Sequence, residues 1–322
     1  MARGTIVLKA GGQVGDRTAE AVVAAVRTWH DAGYRVVLVH GGGARISQWL
    51  ERAQIPVRFV DGRRVTDEAA LEVVEMVLSA NLNKAWVAAL AGRGLRAVGL
   101  SGRDGGLLTA VQRDDGAALG RVGRIRDVRP EVLDLLLDAG IIPVVSPISQ
   151  DEQGQALNIN ADEAAAAVAS GLAADLLLLL TDVPGLLADP SDPNSLLPLL
   201  DGATARELLA SPSVAGGMRP KLEAALAALD AGVPRVHLLD GTDPTAVAAA
   251  VERLLAGAPV EAWPGTTLVA KEPIAASAPE GAAQAETAPT AATAPGPVSA
   301  SWIERGQAVL MNNYGRLPLV LA

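Results

Sequence analysis

Lysine is scarce in this 322-residue chain, and the positions of two lysines indicate anion chemistry. Only four of the 27 basic residues are lysine, so arginine is the usual cation of this protein. Lys9 lies two residues before Gly11-Gly12, and Lys221 lies four residues after Gly216-Gly217. An ammonium group is a compact charge on a flexible stem, and glycine lets a backbone approach an anion closely. These features together predict a binding site for a small anion such as a phosphate.

The glycines next to Lys9 have a counterpart further along the chain. Gly11-Gly12 follows the strand-like run Thr5–Leu8, and Gly41-Gly42-Gly43 follows the strand-like run Arg35–Val39. The carboxyl ends of parallel strands meet at one edge of a sheet, where open α/β sheets bind ligands. Backbone N–H groups and the following helix N-termini would face an anion there. The structural alternative is that these glycines only form tight turns between strand and helix.

Several other classes of site are disfavoured. The chain has no P-loop motif and no Gly-x-Gly-x-x-Gly after a strand. It has no cysteine, and its three histidines show neither metal-ligand spacing nor a nucleophile-elbow context, so no metal ligands are predicted. The net charge of −9 disfavours nucleic acid as a partner. No general base is evident, which favours a nucleophile that is already ionised, such as a carboxylate.

Strands alternate with helices over the first part of the chain, which predicts an α/β fold with a mainly parallel sheet covered on both faces. This αβα sandwich must place both glycine turns at one edge. The predicted strands are Thr5–Leu8, Arg35–Val39, Ala97–Leu100, Leu176–Leu180 and Arg235–Leu239, and Ile141–Ile148 is an apolar run interrupted by prolines. The predicted helices are Asp16–Ala32, Ala44–Ala53, Glu68–Ala91, Pro130–Ala139, Asp162–Ser170, Lys221–Ala231 and Asp243–Leu255.

The composition predicts one folded domain followed by a tail. We assign residues 1–258 to the domain and residues 259–300 to an Ala/Pro-rich disordered linker, because such a composition buries too little apolar surface to fold. Residues 301–322 regain some apolar content and form a short C-terminal segment. No apolar run approaches the ~20 residues of a membrane span, and no signal peptide is evident. We therefore expect a cytoplasmic protein.

Taken in order, the motifs of the domain resemble those of the amino acid kinase family. The resemblance extends from residue 3 to about residue 257, and each stretch is weak alone while the ordered set is specific. The matching stretches are Leu8–Gly12, Val39–Gly43, Arg64–Asp67, Asn83-Lys84, Gly99–Gly105, Asn158–Asp162, Leu180–Val183, Gly216–Lys221 and Val236–Gly241.

The resemblance is strongest to family members that act in arginine biosynthesis on N-acetyl-L-glutamate. It implies ATP- and Mg²⁺-dependent phosphorylation of the side-chain carboxylate of that substrate, giving N-acetyl-L-glutamyl 5-phosphate. Two alternatives keep the fold. One is a related kinase that acts on aminoadipate or glutamate linked to a carrier protein. The other is a regulatory subunit without catalytic activity.

The resemblance also implies roles for individual residues. Lys9 and Lys221 would stabilise the transferred phosphoryl group, and Asp162 would hold both lysines in place. The residues implied in substrate binding are Gly42, Gly43, Arg64 and Asn158. The residues implied in ATP binding are Gly12, Asp182, Gly185, Gly217 and Met218.

The chain departs from the family pattern at a few points. Ala10 replaces a larger residue and Gln13 replaces a common asparagine. The extra N-terminal helix of arginine-inhibited members is not seen before the first strand, so the resemblance implies a homodimer that arginine does not inhibit. The stretch Val309–Leu321 resembles the opening residues of acetylornithine aminotransferase, and its structural alternative is an unstructured tail.

Overall fold

The computed structural model describes residues 2–12, 14, 16–60, 62–113, 119–189, 191–192, 194–211, 214 and 216–270. Within them, none of the helices is both long enough and apolar enough to cross a lipid bilayer. The elements of these residues are, in chain order, β1 (Thr5–Ala10), α1 (Arg17–Asp31), β2 (Arg35–His40), α2 (Gly43–Arg52), β3 (Phe59–Val60), β4 (Arg63–Arg64), α3 (Glu68–Glu75), α4 (Asn83–Ala91), β5 (Ala97–Ser101), β6 (Leu108–Gln112), β7 (Gly123–Val128), α5 (Glu131–Asp138), β8 (Ile142–Ser146), β9 (Ile148–Gln150), β10 (Ala156–Asn158), α6 (Ala161–Gly171), β11 (Leu176–Thr181), β12 (Leu199–Asp201), α7 (Gly202–Ala210), α8 (Met218–Asp230), β13 (Arg235–Asp240), α9 (Pro244–Leu255) and β14 (Thr266–Val269).

Eight of the described strands form the central sheet, in the order β12-β14-β13-β11-β1-β2-β8-β5. The six strands from β13 to β5 run parallel to one another. β14 is antiparallel to β13 and parallel to β12. The predicted α/β architecture with a mainly parallel sheet is confirmed. The neighbours β11, β1 and β2 bring their carboxyl ends together near the middle of the sheet.

Alternating side chains of β1 pack on opposite faces of this sheet, as strand geometry requires. Ile6 and Leu8 belong to the core that includes residues of α1 and α9. Val7 belongs to the core that includes the alanines of α6 and the leucines of α8. Lys9 is two residues beyond Val7, so its side chain emerges on the face covered by α6 and α8. The alternation of side chains along β1 therefore determines that Lys9 faces α6 and α8.

Smaller sheets cover the carboxyl edge of the central sheet. Strands β10, β9, β6 and β7 form a four-stranded sheet, and β3 pairs with β4 in a two-stranded hairpin. These short strands were not among the predicted elements. In β6 the buried residues Leu108 and Ala110 alternate with more exposed ones, so only one face of the strand contributes to a core. A pattern this short lacks the continuous apolar run that marks the central strands.

The predicted helix Glu68–Ala91 is continuous but not uniform. Helices α3 and α4 are joined by a π-helical stretch over Met76–Leu82. Stretches of this kind are rare and occur often at functional sites. Here the stretch brings Leu78 and Leu82 against the glycine turn after β2, where a Cβ on Gly42 would lie 2.7 and 2.6 Å from their methyl carbons.

The predicted domain boundary at residue 258 is wrong. Thr266–Val269 form strand β14, which pairs with β13 and so belongs to the central sheet. Trp263 is also buried, and its indole Nε1 donates to the carbonyl of Ala258 at 3.2 Å. Without this segment β13 would be an exposed edge strand of the central sheet, and proteins commonly protect such edges. The remainder of the predicted linker after residue 270, and the predicted segment 301–322, lie outside the described residues.

Candidate active site

Asp162 lies between the two lysines at the carboxyl edge of the sheet. Its Oδ1 is 2.9 Å from the Nζ atom of Lys9, and its Oδ2 is 3.0 Å from the Nζ atom of Lys221. All three side chains are largely buried, with 7% of the Asp162 side chain exposed, 10% of Lys9 and 13% of Lys221. One carboxylate therefore fixes two ammonium groups in one place.

Three different elements bring these groups together. Lys9 is the penultimate residue of β1, Lys221 lies in the first turn of α8, and Asp162 lies in the first turn of α6. The side chain of Asn160 caps α6 and accepts from the backbone N–H of Asp162 at 2.8 Å. The alanine-rich α6 packs closely on β1, which puts its first turn beside the end of that strand.

The electrostatics of the cluster leave a net positive charge in a buried place. Burial alone would raise the pKa of Asp162, but the ammonium groups of Lys9 and Lys221 outweigh burial and hold that pKa below its ordinary 3.8. Burial lowers the pKa of Lys221 below 10.5, and the Asp162 carboxylate opposes this shift while the Lys9 charge adds to it. Two ammonium groups and one carboxylate make a site that favours an anion.

The two glycine turns touch each other beside Lys9. A Cβ on Gly12 would collide with the Cα atom of Gly42 and would lie 2.8 Å from the carbonyl oxygen of Gly41, so this contact requires glycine. Gly42 is the N-cap of α2, and no side chain within the described residues caps that helix. The first N–H groups of α2 are therefore available to an anion.

A buried hydrogen-bond chain supports the second glycine turn. Nδ1 of His40 lies 3.1 Å from the carbonyl oxygen of Gly41, and Nδ2 of Asn83 lies 3.3 Å from Nε2 of His40. A carbonyl can only accept and an amide nitrogen can only donate, so the imidazole carries its proton on Nδ1. Burial lowers the pKa of His40 to about 4, so the ring is neutral near pH 7 and only weakly basic. Asn83 directly follows the π-helical stretch.

Two cavities meet at Lys9 and the glycine turns. The first, of about 280 Å³, contains Arg64 and Asn158 and is called the substrate cavity below, after the ligand that the resemblance implies for these residues. The second, of about 510 Å³, contains Asp182 and Lys221 and is called the nucleotide cavity on the same ground. Both are lined by Lys9, Gly11, Gly12, Gly42 and Gly43. A group passing from one cavity to the other would pass Lys9.

Arg64 provides a cation in the substrate cavity. Its Nη2 donates to the carbonyl of Gly43 at 2.8 Å and to Oγ of Ser47 at 2.9 Å, and its guanidinium lies 4.7 Å from the ring centre of Phe59. Its Nη1 is buried and has no hydrogen-bond partner within the described part of the chain. Asn158 lies at the end of β10, where its amide donates to Oγ1 of Thr66 at 3.0 Å. A guanidinium with an unused buried donor suits a carboxylate ligand.

The residues predicted for ATP binding divide into two groups. Gly12 and Asp182 line the nucleotide cavity. Gly185 is buried elsewhere, since a Cβ on it would lie 2.6 Å from Oγ1 of Thr266. Gly217 and Met218 begin α8 one turn before Lys221, and neither is among the described residues that line the two cavities.

The structure adds residues that the sequence did not predict as part of the site. Asp16 and Thr242 line the nucleotide cavity, while Arg113 and Asn160 line the substrate cavity. Asp16 and Asn160 stand where helix N-caps are expected, and this signal marks a helix start without indicating a ligand. Arg113 follows β6 in no recognisable motif, so nothing local in the sequence could have identified it.

Comparison with known proteins agrees with this architecture. The chain is 51% identical over 213 residues to the acetylglutamate kinase of a Synechococcus species, covering 66% of this chain and 68% of the relative. It is 47% identical over 237 residues to the acetylglutamate kinase of Geobacillus kaustophilus, covering 74% of this chain and 90% of the relative. A carbamate kinase structure from Giardia lamblia has the same fold, with a TM-score of 0.61 and 18% identity over 83% of this chain and 99% of that one. The sequence profile of the amino acid kinase family matches residues 4–240. The chain belongs to the amino acid kinase family.

Proposed function

We propose that this chain transfers the γ-phosphoryl group of ATP to the side-chain carboxylate of N-acetyl-L-glutamate, as the names of its acetylglutamate kinase relatives indicate for those proteins. The products would be ADP and N-acetyl-L-glutamyl 5-phosphate. The observation that carries the proposal is the meeting of two cavities at Lys9, with Lys221 on one side and Arg64 on the other. Because the reaction consumes ATP, we propose that it takes place in the cytoplasm.

The nucleophile of this reaction needs little activation. A carboxylate with a pKa near about 4 is ionised at neutral pH, so no base has to remove a proton. One carboxylate oxygen forms a bond to phosphorus while the bond to the bridging oxygen of ADP breaks. The barrier then depends mainly on alignment and on stabilising the charge of the phosphoryl oxygens.

The residues between the cavities suit that task. Lys9 faces both cavities and would contact the phosphoryl group throughout the transfer. Lys221 would stabilise charge from the nucleotide side, and the N–H groups of the glycine turns would add donors. Asp162 keeps both ammonium groups in position, so little rearrangement is required as charge develops.

Mg²⁺ would enter this site on the phosphates of ATP, where it would neutralise negative charge. Within the described residues, no three carboxylate or imidazole side chains come together as a metal site. The carboxylate of Asp162 is already engaged by two ammonium groups. Mg²⁺ is commonly held by phosphates and water with few protein ligands, so such a site fits the ion.

The substrate cavity supports a carboxylate-bearing substrate. Arg64 has no acidic partner within the described residues, and its buried Nη1 would donate to the α-carboxylate of N-acetyl-L-glutamate. Asn158, which lines the same cavity, would bind the acetylated amino group. The side-chain carboxylate would then be left to face Lys9.

A coupled assay of ADP release with a panel of acceptors tests this function. N-acetyl-L-glutamate should support turnover that depends on ATP and Mg²⁺, while free L-glutamate and carbamate should not. Faster turnover of a carrier-linked aminoadipate would instead favour the related kinase. No turnover with any acceptor would favour a regulatory subunit and refute the proposal.

We also propose a homodimer. Trp49 and Met76 are large apolar side chains with 37% and 53% of their surface exposed, and they line one surface groove formed by α2, α3 and the π-helical stretch. Exposed patches of this kind often mark association surfaces. Light scattering coupled to gel filtration would give the mass, and a monomer at assay concentration would contradict this proposal.

A further inference from the structure

Glu163 joins the helix that carries Asp162 to the four-stranded sheet. Its Oε2 accepts from Nη2 of Arg113 at 2.9 Å, and its Oε1 accepts from the backbone N–H of Ile125 at 3.0 Å. These partners lie 50 and 38 residues away in sequence. Both oxygens of one carboxylate are therefore used to attach β6 and β7 to the first turn of α6.

This arrangement differs from what the position of Glu163 alone would predict. Glu163 is the third residue of α6, where a glutamate commonly reaches back to the N–H of the N-cap residue. Its two carboxylate oxygens instead contact groups from another sheet. Glu163 therefore links α6 to a part of the fold that is distant in sequence, and Asn160 provides the cap of α6.

The groups that Glu163 holds form part of the substrate cavity. Arg113 lines that cavity together with Arg64, and so does Gly123, two residues before Ile125. The ion pair is mostly buried, with 16% of the Arg113 side chain and 23% of the Glu163 side chain exposed. A pair this shielded keeps its geometry better than one in open solvent.

Arg113 also borders a second space. A separate cavity of about 320 Å³ lies between α6 and α8, and Arg113 and Glu163 both line it. Its other walls include the small side chains Ala166 and Ala224. This space would accommodate a second orientation of the Arg113 guanidinium, turned away from the substrate cavity.

We propose that Glu163 is a positioning residue for substrate binding, which helps to hold the guanidinium of Arg113 at the substrate cavity as a further cation beside Arg64. This inference rests on the proposed function, because a doubly charged substrate such as N-acetyl-L-glutamate benefits from a further cation. Glu163→Gln keeps an acceptor for Ile125 but turns an amide donor or a neutral oxygen toward Arg113. The negative charge of Glu163 beside the guanidinium is lost while the size of the side chain is retained.

The test compares Glu163→Gln, Arg113→Gln and the double variant in the coupled assay. Each single change should raise KM for N-acetyl-L-glutamate about tenfold, with kcat and KM for ATP within about twofold of wild type. The KM of the double variant for N-acetyl-L-glutamate should not exceed that of the more impaired single variant, because both changes remove the same Glu163–Arg113 ion pair. Glu75→Gln is the matched control: Glu75 pairs with Arg103 at 2.6 Å outside all these cavities, and its loss should leave both KM values unchanged.

The outcomes separate the two proposals. No wild-type turnover of N-acetyl-L-glutamate would refute the proposed function and this inference with it. Wild-type turnover combined with an unchanged KM in Glu163→Gln would refute the role of Glu163 alone. An equal rise in both KM values with a fall in kcat would show a general structural effect and would also overturn the inference. If Glu163→Gln does not fold, Arg113→Gln and the shorter but still charged Glu163→Asp carry the same comparison.

Discussion

Replacing Asp162 with asparagine should damage catalysis far more than the loss of one hydrogen bond would. The carboxylate lies 2.9 Å from one ammonium nitrogen and 3.0 Å from the other, and both lysine side chains are almost fully buried. Removing one partner of a buried ion pair costs about 3–5 kcal/mol. Because the lysines would no longer be held in place, we expect Asp162→Asn to lower kcat by about 10²- to 10³-fold.

The pH dependence of this variant gives a sharper test. Burial and the Lys9 charge already lower the pKa of Lys221, and the Asp162 carboxylate is the main group that opposes this shift. Without that carboxylate the pKa of Lys221 falls further, so the protonated lysine required for transfer is recovered only as the pH is lowered. The stability should move the other way. A lysine whose pKa is lower in the folded state destabilises the fold at low pH, and this cost shrinks as the pH rises above that pKa toward the pKa of the unfolded chain.

The assay is kcat at saturating substrates from about pH 5.5 to about pH 9, beside thermal melts over the same range. For Asp162→Asn, kcat should rise toward low pH while the melting temperature rises toward high pH. Asp175→Asn is the control, since Asp175 accepts from the backbone N–H of Thr5 at 2.7 Å at the opposite end of β1. If Asp162→Asn kept kcat within about fivefold of wild type, or if its activity and stability fell together, the account of the lysine cluster would be wrong.

Three further predictions concern single side chains. Lys9→Met should lower kcat by about 10³-fold without lowering the melting temperature, since Asp162 keeps its pairing with Lys221; near-normal kcat would contradict the role of Lys9. Arg64→Lys keeps the charge but loses the planar fork, so KM for N-acetyl-L-glutamate should rise about tenfold with kcat nearly unchanged, and an unaltered KM would count against carboxylate binding there. Burial lowers the pKa of His237 to about 4, so the folded state binds fewer protons than the unfolded state below pH 6.5. The free energy of unfolding therefore decreases as the pH is lowered. Between pH 7 and pH 5 this loss is about 2 kcal/mol, and urea unfolding of His237→Gln should show a pH dependence smaller by that amount.

The central sheet and the glycine turns could be predicted because their signals are local. Leu176–Leu180 is apolar along its whole length, as a strand covered on both faces should be. The glycines next to Lys9 stand directly after such a strand. The pattern around Asp162, by contrast, predicts only a helix start from the residues themselves. Its expected role between Lys9 and Lys221 came from the family resemblance, because the contact joins residues far apart in the chain.

The features that were missed depend on tertiary contacts. Strand β7 carries Arg124, Arg126 and Asp127 among its six residues, and its apolar face is too short to distinguish it from a loop. Arg113 belongs to the substrate cavity only because β6 and β7 fold over the edge of the central sheet. The π-helical stretch changes the helical period over seven residues, too few to alter a hydrophobic pattern read over a longer window.

The order of strands at one side of the central sheet has a consequence for synthesis of the protein. β14 lies between β12 and β13, and β12 pairs with no other described strand of that sheet. On the ribosome, β12 leaves the exit tunnel some 65 residues before β14 and has no hydrogen-bonding neighbour to join until β14 arrives. Completion of this side of the sheet is therefore one of the last events of translation of the domain. A version shortened at residue 258 would leave β12 permanently without its neighbour, so deletions designed to probe the tail should begin after residue 270.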